Sequence, residues 1–354
     1  MSPTPCPARG FLPNVLAMTE NTAYAVHQTA RPSGFPSASD FALARMPVPE
    51  PAPGTALVRN LLLSVDPYHR GMMDGGEGGF ALGAPLEGRA LGRVVASRDP
   101  GLAEGDLVFH RQGWRTHALV SPGADGTRRI RRHEGVPLEA HLGILGGTGL
   151  TAYAALTRTA GLRAGEDLYV SAAAGGVGTA VGHIARLLGA RRIIGSAGTP
   201  AKVRHLTGVL GFDAAFDYHD GPVGELLAQA APDGIDVYVD NVGGDHLEGA
   251  IGALREFGRI AWVGAVSTYN GDRSPAAPRN LFEVVHKSLR LEGVLVRHHT
   301  DLQEELEEFL VPHLRSGRVG TDTTVVEGID GTVEAFLGVL RGDNTGKMLV
   351  RLPE

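Results

Sequence analysis

The sequence predicts an α/β protein in which a β-rich region precedes a doubly wound parallel sheet and a short β-like stretch ends the chain. Three observations carry this. From about residue 20 to 145, short apolar runs sit between turn signals, at 55–63, 90–97, 106–109 and 117–120, the spacing of a small barrel or sandwich. Near residue 145 the period changes: Ala, Leu and Gly recur at helical spacing, and strand and helix patterns then alternate, as right-handed crossovers in a parallel sheet require. Gly accounts for 50 of the 354 residues, about twice its usual ~7% share, which suits tight turns and close approach of backbone to ligand.

In the first region, Pro47, Pro49, Pro51 and Pro53 punctuate the entry to the strand at 55–63, and Gly105-Asp106 turns the chain into the run at 107–109. A helix is expected at 145–156. Strands follow at 167–171, 192–196, 214–216, 235–240 and 259–263, with helices at 177–188, 200–210, 223–230 and 245–254 between them. Helices at 280–288 and 300–315 flank a strand at 289–296. β-like runs at 323–326 and 347–351 enclose a helix at 331–341. Residues 1–17 are Pro-rich and lack an apolar core, so 1–19 read as a disordered tail and not a signal peptide, with Met18 a candidate start.

Composition excludes several function classes. Acids outnumber bases by 39 to 33, a net charge of −6, which argues against nucleic acid or an anionic membrane as the main partner. No apolar run approaches the roughly 18 residues of a membrane span, and no targeting motif is read, so the default location is the cytoplasm. A single cysteine, Cys6, excludes a disulfide framework and a cysteine-rich zinc site. Only three bases are lysine, Lys202, Lys287 and Lys347. In so arginine-rich a chain, a retained lysine marks a place that needs a compact ammonium.

The strongest motif is Ser171-Ala172-Ala173-Ala174-Gly175-Gly176-Val177-Gly178. It ends a predicted strand and opens a predicted helix, the context of a dinucleotide fingerprint. Gly175 admits a pyrophosphate to the backbone amides, Gly178 lets the helix pack on the sheet, and the helix N-terminus favours the anion. Ala173 replaces the first glycine of the fingerprint, and a ligand-free Gly-rich turn is the alternative. The next strand ends in Gly195-Ser196-Ala197-Gly198 with no carboxylate for a ribose 2′-hydroxyl, and Lys202 follows. Missing repulsion plus an ammonium favours a 2′-phosphate, hence NADP over NAD. The segment 342–347, GDNTGK, is not a P-loop: its glycine spacing is short, Met348 replaces Ser or Thr, and no helix follows.

These residues resemble the zinc-independent medium-chain dehydrogenase/reductase superfamily, and within it the group of leukotriene B4 12-hydroxydehydrogenase, prostaglandin reductase and alkenal double-bond reductase. The motifs are Leu63-Ser64-Val65-Asp66-Pro67-Tyr68-His69-Arg70-Gly71, Gly149-Leu150-Thr151-Ala152-Tyr153, the glycine loop, Asp240-Asn241-Val242-Gly243-Gly244, the segment 264–270 (GAVSTYN) and Asn344-Thr345-Gly346-Lys347. The resemblance implies a GroES-like β-rich domain over 20–143 and 318–354, to which the C-terminus returns, around a Rossmann domain over 144–317. It implies NADPH in the cleft between them. The pyrophosphate is placed on Gly175, Gly176, Val177 and Gly178, and the 2′-phosphate near Lys202 and Tyr218, with Ser196 also counted among the cofactor-binding residues. Asn241, Val263, Ser267, Tyr269, Val294, Leu295, Val296 and Asn344 are placed around the rest of the nucleotide. A homodimer is also implied. Three features depart from the group: His69 stands where Met is common, the loop at 72–84 is unusually Gly-rich, and Arg297-His298-His299 adds cations near the cleft.

No metal is expected. The segment Leu86-Glu87-Gly88-Arg89-Ala90 lacks the histidine of the zinc-dependent GHE motif, and no HxxxH or HExxH pair occurs among the 14 histidines. Without a Lewis acid to hold an alkoxide, reduction of a polarised C=C is the natural reaction. NADPH gives hydride to the β-carbon of an enone or enal, and a neutral phenol hydrogen-bonds the enolate oxygen. Tyr269 is the first candidate for that role and Tyr68 the second; either phenol or water could protonate the α-carbon. Arg70 is read as structural, pairing with Asp66 or a carbonyl, and Asp240 as a turn residue. Three alternatives stay open: a quinone oxidoreductase, a biosynthetic reductase of an imine or cyclic intermediate, and a non-enzymatic NADPH-binding protein.

Overall fold

The computed structural model describes residues 21–270 and 277–354; the tail with Cys6 and Met18 lies outside the described residues. Seven strands form one sheet of the β-rich domain, in the order Thr323–Glu327, Lys347–Arg351, Ala56–Ser64, Ala90–Ser97, Leu107–His110 and Arg128–Arg129, with His117–Val120 also pairing Ala56–Ser64. Lys347–Arg351 runs antiparallel to Ala56–Ser64, Leu349 opposite Ser64 and Arg351 opposite Leu62. The end of the chain is therefore built into the sheet of its beginning. Met348 and Val350 bury into one core with Phe41, Met73, Trp114 and Phe336.

Six parallel strands form the second sheet, in the order Ala214–Asp217, Arg192–Ala197, Asp167–Val170, Ile235–Asp240, Leu254–Trp262 and Arg290–Gly293. Helix Gly176–Leu187 lays Ala180, Val181 and Ile184 into the cluster that holds Leu168, Val170, Ile193 and Val237, an apolar stripe at helical spacing. Strand order reverses between Asp167–Val170 and Ile235–Asp240, so the loops after them open at one crevice, where doubly wound sheets take their ligands. Among the described residues no helix is long and apolar enough to cross a membrane.

Three expectations differ from the structure. An antiparallel hairpin, Thr22–Gln28 with Phe41–Pro47, was not expected; its first strand is buried on nearly every residue, so no alternation marks it. The helix expected over 280–288 is the single turn Glu283–His286, none of whose residues is buried; without a core to cover, its apolar residues do not extend it. The strand expected over 289–296 stops at Gly293. Val296–His298 is a 3-10 turn.

Candidate active site

The crevice continues into a cleft of about 1520 Å³ between the two domains. At its nucleotide end, Ala172 takes a left-handed backbone (φ +48°) and the chain doubles back, so that Gly175 N–H donates to Ala172 O at 2.9 Å. A Cβ on Gly178 would lie 2.5 Å from Ala172 O and 2.6 Å from Ala173 Cα, so only glycine lets the helix start against the strand end. The methyl of Ala173, absent from the usual fingerprint, is accommodated by Gly195 on the neighbouring strand, where a Cβ would come within 2.7 Å of Ala173 Cβ. The first amides of helix Gly176–Leu187 have no carbonyl partner within the helix, and the loop that carries them lines the cleft. The segment excluded as a P-loop borders this cradle: Gly346 N–H donates to Ala174 O at 2.8 Å.

Beside the cradle, Thr199 caps helix Pro200–Gly208 by accepting from Lys202 N–H. The Lys202 ammonium donates to Gly342 O. Burial lowers the pKa of this ammonium, and Asp343 acts the other way. Tyr218 covers Gly198, where a Cβ would meet the phenol oxygen at 2.8 Å, and stands edge-on to His246. No Asp or Glu occupies 195–199. These residues fit a nucleotide that carries a 2′-phosphate.

At the acceptor end, Tyr269 follows the 3-10 turn Val266–Thr268. Burial raises its phenol pKa, while a hydrogen bond from the Ala265 amide works the other way. Tyr68 lines the same cleft from the β-rich domain, with the Arg89 guanidinium carbon 5.2 Å from its ring centroid. Its hydroxyl is shielded from solvent and faces no partner among the described residues, and burial pushes its pKa well up. Beneath it, the Asp66 carboxylate receives Lys347 Nζ at 3.0 Å, Ser64 Oγ at 2.6 Å and Arg89 Nη1 at 3.3 Å. Among the described residues, no group of three or more His, Cys, Asp or Glu is arranged to hold a metal.

Comparison with known proteins agrees with this architecture. Residues 25–128 match a family model described as the N-terminal domain of oxidoreductase, and 176–311 one described as zinc-binding dehydrogenase. The chain is 36% identical to a 2-alkenal reductase (NADP(+)-dependent) of Nicotiana tabacum, over 90% of this chain and 94% of that protein. It is 38% identical to prostaglandin reductase 1 of Rattus norvegicus, over 90% and 95%. The chain belongs to the zinc-independent medium-chain dehydrogenase/reductases. The crystal structure of CurA in complex with NADPH from Vibrio vulnificus resembles this reductase with a TM-score of 0.86 at 30% identity, covering 94% of this chain and 99% of that one.

Every residue named from the sequence for the nucleotide or the chemistry lines the reductase's cleft except Ser196. Ser196 is fully buried, and its hydroxyl bonds Tyr169 Oη at 2.8 Å inside the sheet, so its side chain is corrected to a structural one. The two-residue period of its strand turns it away from the crevice. Asn241 is held by its amide, which donates to Ser171 O at 2.8 Å. Asp240 is a turn residue as expected: Oδ1 accepts from the amides of Val242 and Gly243, each at 2.9 Å. Arg70 bonds Asp74 at 2.7 Å and Gly34 O at 2.9 Å, not Asp66. His69 is not at the cleft; it packs between Trp114 and Phe336, and burial lowers its pKa to about 3, with Asp66 opposing. Of the other departures, Glu77, Gly78 and Arg297 do line the cleft. Sequence reading did not assign Arg89 or the Asp66–Lys347 pair to the site. The rarity of lysine and the Asn344-Thr345-Gly346-Lys347 motif pointed to Lys347 without giving it a role.

Replacing Lys202 by Ala is expected to weaken NADPH binding about 10-fold or more, the worth of a charge-assisted hydrogen bond, and to change NADH binding no more than about 2-fold. Calorimetric titration with both nucleotides measures this; equal losses would remove Lys202 from the 2′-phosphate site.

Proposed function

We propose that this chain is an NADPH-dependent reductase of the C=C bond in α,β-unsaturated carbonyl compounds, working in the cytoplasm as a homodimer whose protomers divide into 20–143 with 318–354 and 144–317. One observation carries the reading: a single cleft joins a glycine cradle lacking a ribose carboxylate to a phenol, Tyr269, that burial keeps protonated. When bound, NADPH supplies the hydride for the β-carbon. The chain's residues do the rest. The amides of Gly175 to Gly178 orient the diphosphate. Lys202 and Tyr218 meet the 2′-phosphate. Tyr269 donates to the carbonyl oxygen as negative charge builds there, and Tyr68 lines the cleft from the β-rich domain. The relatives named for 2-alkenal and prostaglandin substrates support this chemistry.

The test is NADPH oxidation against a panel of enals, enones, quinones and imines. Enals and enones are expected to turn over fastest. Preference for quinones would favour an oxidoreductase with no need of a proton donor, and no oxidation with any acceptor would leave a binding protein. The dimer is supported by the edge strand Arg290–Gly293, exposed on every residue, beside exposed Phe282 and Val285. An uncovered edge strand preceded by exposed apolar side chains invites pairing with a second copy. Sedimentation equilibrium should give twice the chain mass of 37.1 kDa; a single-chain mass at micromolar concentration would refute it.

A further inference from the structure

The acceptor end of the cleft holds more positive charge than its carboxylates balance. Asp66 and Glu87 face Lys347, Arg89 and Arg111. Asp66 gives Oδ1 to Lys347 and Oδ2 to Ser64, and Glu87 is ion-paired with Arg111 at 2.6 Å, although its Oε1 accepts no hydrogen bond among the described residues. Arg89 is left with the 3.3 Å contact to an oxygen that Ser64 already occupies. One of its five N–H donors is thus engaged among the described residues. The side chain is only 16% exposed and lines the cleft.

The surroundings are shaped to this guanidinium. A Cβ at Gly147 would lie 3.1 Å from Arg89 Nε and 3.2 Å from Cζ, so the start of helix Gly147–Ala154 leaves room for it. The ring of Tyr68 supports its flat face. The remaining titratable neighbour, His69, is neutral. A purely structural arginine in so dry a place would normally be paired through its fork by a carboxylate of its own. Here the free edge borders the cleft in which the reduced carbonyl must sit.

We propose that Arg89 is a catalytic residue of this reductase: its free guanidinium edge binds the carbonyl oxygen of the acceptor and shares the negative charge that forms there. The inference rests on the double-bond reductase reading and deepens it. NADPH is oxidised to NADP as its hydride forms the new C–H bond at the β-carbon. The π pair of the C=C bond moves to the enolate, and the α-carbon later takes a proton from a phenol or water. Arg89 keeps its protons throughout and contributes hydrogen bonds and charge.

The experiment is single-turnover NADPH oxidation in Arg89→Gln and Arg89→Lys, with an uncharged enone that carries no carboxylate. Arg89→Gln is expected to slow hydride transfer about 20-fold, the scale of a lost hydrogen bond to a charged group. NADPH affinity should stay near wild type, the protein should remain folded with its melting curve lowered only by the lost Asp66 contact, and Arg89→Lys should recover part of the rate. If Arg89→Gln does not fold, Arg89→Lys decides: about 5-fold slower supports the role, and an unchanged rate overturns it. A normal rate in Arg89→Gln also overturns it, as does a loss confined to carboxylate-bearing acceptors, which would make Arg89 an anchor. A positioning role acting only through Tyr68 is separated by the double variant. If Arg89→Gln adds nothing in a Tyr68→Phe background, the proposal fails; a further loss supports it. Wild-type protein that reduces no enone or enal would instead refute the underlying activity.

Discussion

Tyr269→Phe should lower the rate of enone reduction by about 10²-fold, the usual consequence of removing one donor from an oxyanion site. The substitution keeps the ring and deletes one hydroxyl. Tyr269 lines the cleft. Burial raises its pKa above the ordinary phenol value, so the donor stays protonated across neutral pH and activity should show no alkaline decline that reports this group below about pH 10. Stopped-flow measurement with NADPH deuterated at the transferred position isolates the hydride step. A rate within about 3-fold of wild type, with a full isotope effect, would reduce Tyr269 to a packing role beneath the nicotinamide. Tyr68→Phe is expected to be milder, because the Tyr68 hydroxyl is sealed from solvent and must shift to reach an acceptor oxygen.

The nucleotide half of the site was legible because its chemistry is local. A strand end, a left-handed turn and a helix start lie within nine residues, 170–178, and Gly175 and Gly178 find their reason within that span, against Ala172 and Ala173. The acceptor half was not. Arg89 means little until the fold brings Asp66 and Tyr68 of the VDPY turn and Gly147 of a distant helix around it. In sequence it registered only as a histidine that was missing. Ser196 shows the opposite error. It sits at the right place along its strand, but one residue's alternation decides whether a side chain meets the crevice or the sheet interior, where Tyr169 takes it. The lysine argument found more than nucleotide chemistry. All three ammonium groups reach backbone carbonyls: Lys202 that of Gly342, Lys287 those of Ile251 and Gly252, and Lys347 that of Val65. Such converging carbonyls suit a point charge with three rotatable donors better than a planar fork.

Lys347→Met should destabilise the protein by about 3–5 kcal/mol, the effect of removing one partner from a buried ion pair. Lys347 Nζ donates to Val65 O at 2.6 Å and Asp66 Oδ1 at 3.0 Å, with both side chains almost wholly buried. The same residue's amide donates to Asp322 O at 2.7 Å, and its neighbour Gly346 bonds the nucleotide loop. One position therefore ties the last strand to the VDPY turn and to the cofactor cradle. Burial alone would raise the pKa of Asp66; the Lys347 ammonium and then the Arg89 guanidinium outweigh it and hold the carboxyl far below its usual range. A depressed carboxyl contributes stability that is present above the unfolded value near pH 4 and is lost as pH falls toward the folded one. Without the ammonium the folded value rises, so Lys347→Met should lose the contribution already at neutral pH and acid-unfold at a higher pH than wild type. Urea titrations at pH 7 and pH 4 measure both effects. Asp66→Asn in the Lys347→Met background should restore part of the loss, because a neutral amide no longer needs the ammonium. A single-variant loss below about 1 kcal/mol would mean that Arg89 and Ser64 suffice for Asp66, and Arg89 would then have less free charge to offer a substrate.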